Sequence, residues 1–233
     1  MNSEIMQKTV PLNEIFYSLQ GEGPSVGIPS VFIRLQGCNL NCSFCDTLYA
    51  VRDNPNAEVL TVQELFDKVK VLLDEHLCNN VVITGGEPLL YKEQVFCLAK
   101  TFVENGCFVE VETNGTIPLD FDYTSMLMAV QWNVSPKQDH LNYSALATFV
   151  NRLSNFKFVI DPDAENLDEW MDTIKKFVTK HNSEYEVADY VYLMPQCKNI
   201  DEYNDKISRV FRLSKLSGFK TSTRMQILFK DLK

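Results

Sequence analysis

The sequence predicts an α/β fold: a partial, TIM-like barrel of about six mainly parallel strands joined by crossover helices. Three observations carry that expectation. Short β-branched and aromatic runs alternate with amphipathic segments of helical length. Parallel neighbours need a crossover connection, and the segments between the strand runs are long enough to supply one. Polar and glycine-rich clusters recur directly after the strand runs, at the end where α/β folds collect ligands. Six runs are too few for a closed eight-stranded barrel, which leaves a partial barrel or an open sheet. With 233 residues, 45% of them hydrophobic, and no linker or low-complexity tract, a single domain over residues 1–233 is expected.

The first strand run, PSVFIRLQ (Pro29 to Gln36), leads straight into QGCNLNCSFCDT, Gln36 to Thr47. Thr61 to Leu77 follows as a helix, with Val62, Leu65, Phe66, Val69, Leu72, Leu73 and Leu77 on one stripe. Thr61 and Glu64 form a capping box at its start, each able to satisfy a free backbone amide of the other. NVVIT (Asn80 to Thr84) is the next strand and runs into GGEP, Gly85 to Pro88. A helix from Tyr91 to Asn105 stops before Gly106. CFVEVET (Cys107 to Thr113) opens into ETNG, and AVQWNVS (Ala129 to Ser135) into SPK. FKFVID (Phe156 to Asp161) and YVYLM (Tyr190 to Met194) complete the series, the last followed by Pro195 and Gln196. Leu167, Trp170, Met171, Ile174, Phe177 and Val178 mark a solvated amphipathic helix in the charged stretch Asp161 to Ala188. Tyr203, Ile207, Val210 and Phe211 mark another, with Gly218 beyond it.

Composition narrows the function. A net charge of −9 speaks against broad nucleic-acid binding, which needs an excess of Lys and Arg. No apolar run approaches the roughly 18 residues of a membrane span. The opening MNSEIMQKTVPLNEIF lacks a basic region followed by an apolar core, so a cytoplasmic protein is expected. Seven cysteines in that setting read as reduced thiols, some of them metal ligands, rather than disulfides. Cys78, Cys97, Cys107 and Cys197 read as small buried hydrophobes. His76 and His181 fall in helices and His140 in a loop, none of them in metal-ligand pairing.

Cys38, Cys42 and Cys45 are different. They form a C-x3-C-x2-C loop at the end of the first strand run. A structural zinc site takes four ligands, and no fourth stands nearby. A cubane iron–sulfur cluster also normally takes four thiolates, so three leave one iron with an open position.

In spacing and position the loop resembles the signature of the radical S-adenosylmethionine (SAM) superfamily. The resemblance implies a [4Fe–4S] cluster on Cys38, Cys42 and Cys45, whose open iron would chelate the amino and carboxylate groups of SAM. One electron would then release a 5′-deoxyadenosyl radical, chemistry that belongs to the cofactor rather than the protein. It also implies SAM contacts from Phe44, Cys45 and Asp46, from Gly85, Gly86 and Glu87, from Ser135, Pro136 and Lys137, and from Gln196. Without the resemblance, GGEP is a tight turn and Glu87 an exposed loop charge.

The stretch NEIFYSLQGEGPSVGIPSVFIRLQGCNLNCSFCDT, with TGGEPLL, ETNGT and SPK beyond it, is more specific. It resembles the 7-carboxy-7-deazaguanine synthase family of that superfamily. This implies ring contraction of 6-carboxy-5,6,7,8-tetrahydropterin to 7-carboxy-7-deazaguanine, with loss of ammonia and SAM regenerated, in queuosine and 7-deazapurine biosynthesis. Leu19, Gln20, Gly21 and Glu22 match the pterin-binding loop, and Arg34 and Thr84 match further substrate contacts. A guanidinium suits a carboxylate, and a charge inside the apolar VFIRL favours a functional role. Thr47 matches the hydroxyl that meets a Mg2+ ion. A homodimer and a flavodoxin-type electron donor are also implied, and no protein acid or base is expected to act. The ending STRMQILFKDLK departs from the His-Lys ending of many members, so neither Gln226 nor the terminal carboxylate receives a role. A glycyl-radical activase would share the cysteine spacing but not SLQGEG with CDT. A noncatalytic iron–sulfur or zinc module would leave GGEP, ETNG and SPK without a purpose.

Overall fold

A computed structural model describes residues 3–52, 54, 57–119, 129–150 and 153–229, and its strands form one continuous sheet. The strands are β1 (Thr9–Leu19), β2 (Pro29–Leu35), β3 (Glu58–Thr61), β4 (Asn80–Gly85), β5 (Phe108–Thr113), β6 (Gln131–Val134), β7 (Ser154–Ile160), β8 (Val191–Pro195) and β9 (Lys220–Thr221). The helices are α1 (Ser3–Met6), α2 (Leu48–Val51), α3 (Val62–Glu75), α4 (Lys92–Glu104), α5 (Tyr143–Thr148), α6 (Leu167–Tyr185), α7 (Ile200–Ser217) and α8 (Met225–Leu228).

The sheet order is β3-β1-β2-β4-β5-β6-β7-β8-β9. The six strand runs expected from sequence are β2 and β4 to β8, and they lie side by side in parallel. Each crossover moves one place in the same direction. Because such crossovers share one hand, this progression puts the helices on one face and curls the sheet about the other. Helix α3 packs on β1 and β2, α4 on β4 and β5, and α7 on β8 and β9. The sheet does not close, since β3 and β9 end it.

Three strands were not expected from sequence. β1 runs antiparallel to both β2 and β3, and its register shifts between Leu12 and Glu14. That bulge moves the buried positions from Val10 and Leu12 to Ile15 and Tyr17, so the period-two pattern breaks midway. β3 and β9 have only four and two residues, too few to show a pattern. The capping box at Thr61 is present, with Glu64 N donating to Thr61 Oγ1 at 3.2 Å and Thr61 N to Glu64 Oε2 at 2.8 Å. Two stripe residues depart from expectation: Leu77 lies beyond α3 and is exposed, and Phe211 on α7 is exposed also. Cys197 is buried as expected, whereas Cys78, Cys97 and Cys107 are half-buried at the edge of the core.

Side chains alternate across the parallel strands. Val31, Ile33, Val81, Ile83, Val109, Val111, Phe156 and Phe158 face the helices and form the core. Their neighbours Arg34, Thr84, Glu110, Glu112, Asn133 and Lys157 belong to the concave face.

Candidate active site

The concave face and the loops after the strands enclose a cavity of about 430 Å³, within the range of small-molecule sites. The cysteine loop lines it with Cys38, Cys42, Phe44, Cys45, Asp46 and Thr47. Gly85 and Gly86 after β4, Ser135 and Lys137 after β6, and Gln196 after β8 line it as well. Arg34, Thr84, Glu112, Asn133 and Lys157 contribute from the strands themselves. Leu19, Gln20, Gly21 and Glu22 enter from the loop after β1, and Arg224 and Gln226 from the C-terminal segment.

The root of the cysteine loop is held by backbone. Gly86 N donates to Leu35 O at 3.2 Å and Glu87 N to Gly37 O at 2.8 Å. A Cβ on Gly86 would collide with the Gly37 carbonyl and stand 2.8 Å from Cys38 Cβ. GGEP is therefore a close-approach surface as well as a turn. Glu87 is fully buried and does not line the cavity. Its carboxylate accepts from Thr113 Oγ1 at 2.8 Å, Asn114 N at 2.7 Å and Leu89 N at 3.0 Å. Burial pushes its carboxyl above the usual range, against the pull of those donors. Thr113 and Asn114 of ETNG thus brace GGEP. Pro136 is buried and lines a smaller neighbouring pocket instead, with Phe44, Lys137 and Gln196.

Burial also raises the thiols of Cys38 and Cys42, with Lys137 drawing Cys42 back down. Lys137 donates to Ser135 Oγ at 2.7 Å and has no carboxylate in ion-pair range among the described residues. Burial lowers its ammonium from the ordinary value. Among the described residues, no three His, Cys, Asp or Glu side chains converge as a single-ion site requires.

Deeper in, charge is dense and paired. Lys157 is 2% exposed and bridges Glu22 at 2.9 Å and Glu112 at 3.3 Å. Burial alone would lower it, but the two carboxylates hold it well above the ordinary lysine range. Burial opposes the ionisation of Glu22 too, yet Lys157 and Arg224 outweigh it and hold the carboxyl at about 2. Glu112 accepts from Thr84 Oγ1 at 2.9 Å and from Gln20 Nε2 at 3.3 Å. Gln20 Oε1 in turn accepts from Gly21 N at 2.8 Å, which folds the loop onto itself. Arg34 donates through Nε to Glu14 at 2.8 Å and stacks near Phe16 and Tyr49. Its terminal amino groups have no hydrogen-bond partner among the described residues.

The structure therefore brings every expected site residue except Glu87 and Pro136 to one cavity. Glu112, Asn133, Lys157 and Arg224 were missed. The signal was present for Glu112 and Lys157: a charge inside an apolar strand run, in FVEVET and NFKFVI, as in VFIRL for Arg34. Gln226, given no role from sequence, lines the cavity and donates to Glu22 at 2.6 Å. The terminal carboxylate lies outside the described residues.

Residues 32–195 match the model of the radical SAM superfamily, a span from within β2 to the end of β8 that holds all three cysteines of the loop. The chain is 31% identical over 222 residues to the 7-carboxy-7-deazaguanine synthase of Pyrobaculum aerophilum, covering 92% of each chain. It is 30% identical over 236 residues to the 7-carboxy-7-deazaguanine synthase of Halobacterium salinarum, covering 94% of this chain and 89% of that one. Its fold is similar to the crystal structure of QueE from Escherichia coli, with a TM-score of 0.68 at 21% identity over 95% of this chain and 97% of that chain. A cysteine loop at the end of the first parallel strand, a cavity beneath it that holds several charged side chains and relatives aligned along nearly the whole chain lead to one conclusion: this protein belongs to the 7-carboxy-7-deazaguanine synthase family of radical SAM enzymes.

Proposed function

We propose that this enzyme contracts 6-carboxy-5,6,7,8-tetrahydropterin to 7-carboxy-7-deazaguanine, with loss of ammonia and with SAM regenerated. The observation that carries the reading is the pairing, in one cavity, of three thiols with an arginine whose terminal amino groups have no hydrogen-bond partner among the described residues. The donor set fits an iron–sulfur cluster: Cys38, Cys42 and Cys45 line one wall, and the absent Cβ of Gly86 lets the root of their loop pack against GGEP. When bound, the cluster and SAM supply the hydrogen-abstracting radical.

The chain's own residues bind, orient and exclude water. Lys137 with Ser135 offers a cation and hydroxyl to the SAM carboxylate or ribose. Phe44, Asp46, Gly85 and Gln196 complete that side, with Pro136 behind it and Glu87 supporting from beneath. Arg34 takes the pterin carboxylate through paired charge-assisted bonds. Thr84, Glu112 and the loop Leu19 to Glu22 face the donor and acceptor edge of the ring system. Thr47 Oγ1 makes one contact among the described residues, 3.7 Å from Cys45 Sγ, and suits a Mg2+ ion that keeps several waters. No side chain acts as nucleophile. The proposal extends to a single-domain cytoplasmic homodimer with a flavodoxin-type electron donor.

Anaerobic reconstitution with SAM, reductant, Mg2+ and 6-carboxytetrahydropterin, followed by mass spectrometry, tests this. The expected result is 7-carboxy-7-deazaguanine with little net loss of SAM. SAM cleavage without that product overturns the substrate assignment.

A further inference from the structure

Arg224 sits on the short stretch between β9 and α8 and is 6% exposed. Its guanidinium meets three other segments of the chain. Nε donates to Glu22 at 3.3 Å, one terminal nitrogen pairs with Asp46, and the other donates to the Cys197 carbonyl. Around it the C-terminal segment is laid onto the loop after β1: Met225 N donates to Gly21 O at 3.1 Å, Gly23 N to Ser222 Oγ at 2.9 Å, and Gln226 Nε2 to Glu22 Oε1 at 2.6 Å.

We propose that Arg224 is a positioning residue: its guanidinium ties Asp46, beside the cysteines, to Glu22, on the loop facing the heterocycle, and so fixes both halves of the cavity before substrate arrives. Only a fork of several fixed donors can serve two carboxylates and a carbonyl from one side chain. Lys157 cannot replace it at Glu22, because that ammonium is already shared with Glu112. Without Arg224, two half-buried carboxylates share one cation and Asp46 loses its partner, so the loop from Gln20 to Gly23 loses its frame. Arg224 touches neither the reacting hydrogen nor a metal in this scheme; it acts through Glu22 and Asp46.

The kinetic arm of the test rests on the proposed function, whereas the exchange arm does not. Arg224→Met and Arg224→Lys are made in the full chain and reconstituted anaerobically. Iron and sulfide content and the spectrum of the reduced cluster should match those of the unsubstituted protein. KM for the pterin should rise about tenfold in Arg224→Met with a smaller change in kcat, because pre-organisation is lost rather than chemistry. Arg224→Lys should fall between, keeping the charge at Glu22 without the fork. In the ligand-free protein, Arg224→Met should speed amide exchange at residues 19–25, 45–48 and 222–229. An unchanged KM, with kcat lowered only by the active fraction, overturns the proposal, and so does unchanged exchange at residues 19–25 and 45–48. If the unsubstituted enzyme makes no deazaguanine, the proposed function fails by itself, and exchange in the ligand-free chain still decides the role of Arg224.

Discussion

The two faces of the parallel strands are made from the same backbone and do opposite work. Toward the helices stand Val31, Ile33, Val81, Ile83, Val109, Val111, Phe156 and Phe158, fully or almost fully buried and without polar atoms. Toward the cavity, at alternate positions of the same strands, stand Arg34, Thr84, Glu110, Glu112 and Lys157. One face removes apolar area from water and stabilises the fold. The other gives up that gain to hold charge in a fixed arrangement, which contributes little to net stability but is costly to leave half made. Two glutamates sharpen the contrast. Glu22, beside Lys157 and Arg224, is held ionised down to about pH 2. Glu110 is fully buried among the amides of Gln20, Asn80, Gln131 and Asn133, and burial pushes its carboxyl upward.

Breaking the concave face at its centre should have the largest effect. Lys157→Met leaves Glu112 without its cation and Glu22 with Arg224 alone, and should cost about 3–5 kcal/mol in urea unfolding, as removal of one member of a buried charge network does; a loss below about 1 kcal/mol would show that water screens the site. Next comes acid. The Glu22 carboxyl is depressed from 4.5 to about 2, so its contribution is full above pH 4.5 and is lost as pH falls toward 2. That group accounts for about 3 kcal/mol of lost stability across the window, and Glu22→Gln should flatten the acid limb by that amount. Glu110 works with the opposite sign, its raised value favouring the folded state as pH falls. A smaller change is expected on the convex face: Ile33→Val should cost about 0.5–1.5 kcal/mol and leave KM for the pterin untouched, since Ile33 does not line the cavity. A shift in KM would mean that the two faces are coupled. Smallest of all, Lys68→Ala removes a solvent-exposed pair with Glu58 and should change stability by at most about 1 kcal/mol.

How much of this was legible beforehand follows from the same two faces. The six parallel strands could be read because their convex positions are β-branched or aromatic and their ends carry Gly, Pro or Asn. β1 hid behind its bulge, and behind Pro11, which argues against a strand when seen in sequence alone. The cysteine loop was legible because its chemistry is local: three thiols within eight residues. The ionic network was not, because its members lie far apart in the chain and are meaningful only together. Lys157 and Glu22 are 135 residues apart, and Lys157 and Glu112 are 45 apart. Arg34 was singled out because it matches a substrate contact of the resembled family and is a charge inside apolar VFIRL leading into the cysteine loop; Lys157, equally anomalous within NFKFVI, had no such match. Gly86 was assigned a SAM contact from the resemblance, and without it only a turn; that its missing Cβ serves the close approach of the Gly37 carbonyl is something no local pattern displays.

The frame between Glu22 and Arg224 also sets a timetable. The two residues are separated by 202 positions, so Glu22 leaves the ribosome long before its partner exists. At about 5–20 residues per second, that delay is on the order of 10–40 s. Over the interval the cysteine loop and most parallel strands are already synthesised, while Asp46 and Glu22 still lack their shared guanidinium. An iron–sulfur cluster delivered to the growing chain would meet an open cup rather than a finished pocket, until the later segment that carries Arg224 closes it.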